Sequence, residues 1–197
     1  TAREIQSVAG SLDGNIIMVS MRQTTTTPND FEIFRINVSA AVTQRLTTDT
    51  VDNTNVGVSS NGLRVVWQHL VSGLETVFLR TYVDTTTTTT FTEVALSSLS
   101  SQAQPSISGN GKYIALIRQG AIKTIQRFDI QTSSYLQVAL TGRFQSFQHP
   151  SLSDDGNKLA WLFRDEFGAL FAKFWTLPDN TVQDVLTGLD GDFDHPY

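Results

Sequence analysis

Pro150-Ser-Leu-Ser-Asp-Asp-Gly-Asn-Lys-Leu-Ala-Trp161 is the stretch that orders this chain, because a version of it opens each quarter of the sequence. The other versions are Val8-Ala-Gly-Ser-Leu-Asp-Gly-Asn-Ile-Ile-Met-Val19, Val56-Gly-Val-Ser-Ser-Asn-Gly-Leu-Arg-Val-Val-Trp67 and Pro105-Ser-Ile-Ser-Gly-Asn-Gly-Lys-Tyr-Ile-Ala-Leu116. Their shared glycines, Gly14, Gly62, Gly111 and Gly156, follow one another at steps of 48, 49 and 45 residues. A period of that size is the mark of a repeat architecture.

Each copy reads as a short strand, a tight turn and a second, more apolar strand. The turns carry Asp13-Gly14, Asn61-Gly62, Asn110-Gly111 and Asp155-Gly156, pairs that accept the positive φ of a two-residue hairpin where a β-branched residue would be strained. The four glycines are therefore expected to be structural turn residues. After each glycine the third and fifth positions are Ile17 and Val19, Val65 and Trp67, Ile114 and Leu116, and Leu159 and Trp161. The fourth positions, Met18, Val66, Ala115 and Ala160, are apolar too, so these strands should be covered on both faces by stacked sheets. A third strand follows in each unit (31–36, 76–83, 122–128, 170–175), then a fourth (42–46, 92–96, 136–140, 182–186). Four strands per repeat of this length is the pattern of a propeller blade.

With those residues in view the chain resembles the TolB-like, WD40-like (PD40) β-propeller repeats, whose motif is roughly Pro-x-aromatic-Ser-Pro-Asp-Gly-Lys-x-Ile-Ala-Phe. Pro150, Ser153, Asp155, Gly156, Lys158, Leu159 and Ala160 match it, as do Pro105, Ser108, Gly111, Lys112, Ile114 and Ala115, with Asp84 and Asp129 at the ends of third strands. The family's second proline is Leu12, Ser60, Gly109 or Asp154 here, and its first is Val8 in the first repeat. The resemblance implies an all-β, four-bladed β-propeller of four-stranded antiparallel blades, or else four blades of a larger ring. It transfers no active site, because a fold of this kind carries many functions.

By length the 197 residues make one domain, with repeats at about 1–49, 50–98, 99–143 and 144–189, and 190–197 as a partial fifth repeat or tail. No run is apolar for the roughly 18 residues a membrane span needs. A net charge of −5, with four lysines and ten arginines scattered along the chain, leaves no electrostatic footprint for nucleic acid. Cysteine is absent, which excludes disulfides and thiolate metal sites. Threonine-rich, lysine-poor composition, a first residue that is Thr1 and the sequon Asn37-Val38-Ser39 point to an extracellular or periplasmic protein.

Candidate chemistry is sparse. His149 and His195 fill equivalent repeat places before proline, and His69 stands alone; none belongs to a catalytic motif, and no Gly-x-Ser-x-Gly elbow occurs. No enzyme and no cofactor are expected, and no metal except for a weak calcium candidate: Asp190, Asp192 and Asp194 alternate as a Ca²⁺ loop requires, but His195 stands where such a loop needs glycine and no glutamate closes it. Two stretches suggest self-association. Thr85 to Thr90 is an uninterrupted threonine run, read as a hairpin tip or as an exposed contact strand. The tail through Phe193, His195, Pro196 and Tyr197 repeats Phe147-Gln-His-Pro150, so it would be spare in a closed ring and could add to a neighbour. The expected partner is protein, above all copies of this chain in a filament or other assembly. The alternatives are a partner-binding propeller, acting singly or within a longer chain, and the non-catalytic propeller of a peptidase or glycan-acting enzyme.

Overall fold

The computed structural model describes residues 3–23, 30–71, 73–86, 90–96, 100–143 and 145–186. Among these there are sixteen strands and no helix, hence no helix long and apolar enough to cross a membrane. The first blade contains β1 (Arg3–Gly10), β2 (Ile16–Gln23), β3 (Glu32–Asn37) and β4 (Val42–Arg45); the second contains β5 (Asn53–Val58), β6 (Arg64–Val71), β7 (Leu74–Tyr82) and β8 (Phe91–Ala95). In the third are β9 (Gln102–Ile107), β10 (Tyr113–Arg118), β11 (Thr124–Asp129) and β12 (Ser134–Leu140), and in the fourth β13 (Ser146–Leu152), β14 (Lys158–Arg164), β15 (Leu170–Thr176) and β16 (Thr181–Leu186). Every blade is an antiparallel meander in chain order.

The motif turns differ in one respect from the two-residue hairpin. The amide of Ser11 donates to the carbonyl of Ile16 and that of Gly14 to the carbonyl of Ser11, so the β-turn at 11–14 ends on a left-handed glycine. Gly14, Gly62, Gly111 and Gly156 have φ of 69°, 71°, 72° and 73°, while the Asp or Asn before each keeps an ordinary φ. The motif serine makes this longer turn possible. Ser11 Oγ donates to Asp13 Oδ1 at 2.6 Å and accepts from the Ile16 amide at 2.9 Å. The same pair of bonds is made by Ser59, Ser108 and Ser153.

Both faces of the second strands β6 and β10 are covered, as their sequence demands. Strands β2 and β14, expected to be covered alike, are among the described residues each mated to another blade on one face only, because they lie at the two ends of the series. Met18, Val66 and Ala115 point forward to the next blade; Val65 and Trp67, Ile114 and Leu116, Leu159 and Trp161 point back to the one before. Ile16, Met18 and Ile33 meet Val56, Val65, Trp67 and Tyr82 in the first seam. Val66, Val77 and Leu79 meet Ile107, Ile114, Leu116 and Phe128 in the second. Ala115, Ile117 and Ile125 meet Phe147, Leu159, Trp161 and Trp175 in the third. Buried cations brace these seams: the Arg35 guanidinium, 1% exposed, lies 4.9 Å from the Tyr82 ring, and Arg127 lies 5.8 Å from that of Trp175.

No fourth core joins the last blade to the first among the described residues. The blades form an open arc. On the back of the first blade Ile5 and Val8 are 60% and 58% exposed, and on the front of the fourth Ala160 is exposed while Leu162, Ala172 and Phe174 are half-buried.

Candidate interaction surfaces

The inner strands β1, β5, β9 and β13 each carry a bulge: in β5, β9 and β13 it falls in register, around Asn55, Gln104 and His149, and in β1 it falls one residue earlier, at Gln6. A bulge turns one amide out of its ladder, and these amides are taken up by the blade before. Asn55 N–H donates to Gln6 Oε1 at 3.0 Å, Gln104 N–H to Gln68 Oε1 at 2.9 Å and His149 N–H to Gln104 Oε1 at 2.8 Å. Asn55, Gln104 and His149 stand at φ of 52°, 50° and 49°, a strained region for residues other than glycine that the caps hold in place. Gln6 keeps an ordinary φ.

A second relay links the motif turns. The amide of Leu12 donates to Ser60 O, that of Ser60 to Gly109 O and that of Asn110 to Asp154 O. The approach is so close that a Cβ on Gly109 would overlap both Asp154 and Ser60. Within each relay the amides point one way along the chain, those of the bulges to the blade before and those of the turns to the blade after.

Between the second and third blades lies a cleft of about 440 Å³ lined by Arg64, Lys112, Asn61, Asn110, Thr81 and Gln131, among others. Arg64 Nη1 donates to Gly111 O at 2.5 Å. No carboxylate lines the cleft, so it is locally cationic on an acidic protein.

The remaining candidates are placed as follows. Thr85 and Thr86 form a bend rather than a strand, and the Thr85 carbonyl accepts from Arg35 Nη2 at 2.8 Å and from Asn37 Nδ2 at 3.3 Å, tying this tip to the first blade. Thr90 is exposed beside β8. Asp190, Asp192, Phe193, Asp194, His195, Pro196 and Tyr197 lie outside the described residues. His69 Nδ1 is 2.7 Å from Asn53 Oδ1 and 3.6 Å from Asp49 Oδ2, at the edge of the first seam.

One group escaped the sequence reading because Asp49 comes from the β4–β5 connection, apart from Asp30 and Glu32 at the start of β3. Asp30, Glu32 and Asp49 each offer a carboxylate oxygen within 4.8 Å of the others, the spacing at which carboxylates can share a cation. Here protein donors fill much of that role. Glu32 accepts from Arg45 Nη2 at 2.5 Å and from Thr47 Oγ1, and Asp49 Oδ1 from Asn53 Nδ2 at 3.0 Å. Burial pushes the Glu32 carboxyl above its ordinary pKa, against the hydrogen bonds from Thr47 and Arg45.

Four meandering sheets stacked face to face around their first strands have clear counterparts among solved structures. TolB from Acinetobacter baumannii superposes with a TM-score of 0.67 at 17% identity, over 92% of this chain and 43% of that one. The fold is a β-propeller. An oligogalacturonate lyase solved in complex with manganese matches at 0.66 and 11% identity, over 91% and 52% of the two chains. The β-propeller domain of the Trilobed protease from Pyrococcus furiosus matches at 0.62 and 9% identity, over 93% and 57%. The propeller therefore spans 43% to 57% of the length of these structures. No protein-family model and no curated protein matches the chain, so the likeness is one of fold.

Proposed function

We propose that this chain is a non-enzymatic propeller module that works outside the cytoplasm, needs no cofactor and assembles with copies of itself into a filament or other homopolymer. One observation carries the reading: among the described residues the first and last blades each leave an apolar face open, with Ile5 and Val8 more than half exposed, while the other blade faces are mated. A soluble protein rarely leaves such faces uncovered. The low lysine and high threonine content supports an extracytoplasmic setting. Sedimentation and electron microscopy of the full chain, and of one ending at residue 191, test the reading. Polymer from the full chain is expected; a full chain that stays monomeric at high concentration ends it, and a shortened chain that still polymerises removes the tail from the contact.

The cationic cleft favours a second reading, a propeller that binds an acidic partner singly or within a longer protein. Lys112→Glu should then abolish capture of acidic peptides without changing the oligomeric state. The likeness to the β-propeller domain of a protease and to a lyase supports a third, a non-catalytic domain of such an enzyme. Turnover of peptidase, esterase or glycosidase substrates that a single carboxylate or histidine substitution removes would overturn the non-enzymatic reading.

A further inference from the structure

Resting on the self-assembly reading, we infer that the contact between copies is a fourth blade seam, formed head to tail, with the front of the fourth blade of one copy on the back of the first blade of the next. Every internal seam mates a forward face with a backward face, and the faces left over are one of each kind. Ala160, with Leu162, Ala172 and Phe174 around it, stands where Met18, Val66 and Ala115 enter the three internal cores. Ile17 and Val19 stand where Val65 and Trp67, Ile114 and Leu116, and Leu159 and Trp161 receive them. Val8 pairs with Val19 across the strands and faces the same way.

The polar relays end in matching halves. His149 occupies the place of Gln104, whose side chain caps the bulge of the following blade, and its ring carries a nitrogen that can accept. In the first blade the bulge residue is Gln6, and the register place of Asn55, Gln104 and His149, whose amides are capped, is held by Ser7. At the turns Asp154 stands where Leu12 and Ser60 donate, and Leu12 where Ser60, Gly109 and Asp154 accept. A face that always receives the opposite face of the same repeat is complementary to a second copy in shape and in hydrogen bonding. Such a contact is heterologous and gives a closed ring or a filament according to its rotation.

Lysine at the centre of either face would be an unpaired buried charge in the seam, yet it is solvated in the monomer because Val8 is 58% exposed and Ala160 is exposed. Val8→Lys and Ala160→Lys should each weaken association at least about 10-fold, with circular dichroism and melting temperature unchanged. Mixing the two variants is the decisive experiment. Each retains one good face of opposite kind, so sedimentation should show a capped 1:1 complex and nothing larger, while each variant alone is monomeric. Should Val8→Lys fail to fold, Ile5→Lys blocks the same face. Wild-type polymer that both variants still form overturns the seam and leaves self-assembly standing; a monomeric wild type overturns both. A variant that dimerises alone shows like faces meeting, and the head-to-tail contact falls.

Discussion

The turns at Gly14 and Gly156 share a motif, a serine cap and a left-handed glycine, yet they live in different surroundings. A Cβ on Gly156 would overlap the Tyr113 ring of the blade before, and one on Gly62 would come within 2.6 Å of Ile16 Cγ1. At Gly14 a Cβ would meet nothing within 4 Å. The inner strands repeat the contrast: Val58, Ile107 and Leu152 pair with the backward-facing residues of their second strands, while Gly10 holds that place in the first blade. The same residues are thus asked for twice in the later blades, once by the local turn and once by the neighbour, and only once in the first. Repetition in sequence sets the turns; position in the arc sets what each turn bears.

The largest test of that contrast removes an anchor of a seam. Trp175 is fully buried, and its Nε1 donates to Asn180 Oδ1 at 2.7 Å. Trp175→Ala should cost about 3–5 kcal/mol in denaturant unfolding, whereas Val8→Ala on the open face should change stability by less than about 0.5 kcal/mol. Equal losses would mean that the first blade's back is covered. Next come the glycines. Gly62→Val and Gly156→Val should each cost more than about 1 kcal/mol from the left-handed backbone alone, with a further loss from the clash, and Gly14→Val should cost clearly less than either. The same melting temperature for all three would break the comparison. A smaller effect is expected in the inner belt: Gln104→Leu leaves the His149 amide uncapped, and about 1 kcal/mol should be lost together with hydrogen-exchange protection at that amide.

The smallest effects depend on pH, and their signs differ. Hydrogen bonds from Ser11 and then from the Asn15 amide hold Asp13 below its ordinary pKa; those from Ser153 and the Asn157 amide do the same for Asp155. The bonds these carboxylates make are thus fully present above roughly pH 4, the ordinary value, and are lost as pH falls through the lower folded value. The first and fourth turns should loosen in acid, seen by NMR at Gly14 and Gly156, while the amide-capped turns at Asn61 and Asn110 hold. Asp13→Asn should remove the effect in its own turn. Glu32 runs the other way. Its raised folded pKa means that ionisation opposes folding, a penalty absent below the ordinary value and complete above the folded one, so this group alone favours the fold as pH falls between them.

Much of the fold was legible because its signals are local. Ser, Asx and Gly at fixed spacing specify a turn that caps itself, and apolar residues at three consecutive positions after each glycine specify a strand apolar on both faces, which another blade covers on both sides at β6 and β10 and on one side at β2 and β14. Asp84 and Asp129 act locally too, accepting from amides two residues on. The bulge positions were harder to see, since Asn55, Gln104 and His149 recur in register but differ in type and Gln6 lies one residue out of step; a polar residue with a side-chain acceptor near one place was the available signal. Arg35 and Arg127 read as the polar half of an alternating strand, and only stacked sheets reveal them as buried braces. The Asp30, Glu32 and Asp49 group and the cleft at Arg64 and Lys112 draw on segments distant in sequence, which no spacing rule connects. The open arc was the least legible feature, for it depends on the angle between sheets, and no single residue records that angle.

The one-way relays bear on how such a molecule could have arisen. A blade brings an acceptor for its successor's bulge and presents its own bulge amide to its predecessor, so a duplicated blade inserted between two others finds both joints already fitted. Gain or loss of whole blades leaves the same two ends each time, and reversal of a blade leaves donors facing donors. A lineage built from this unit can count freely but cannot turn a unit round.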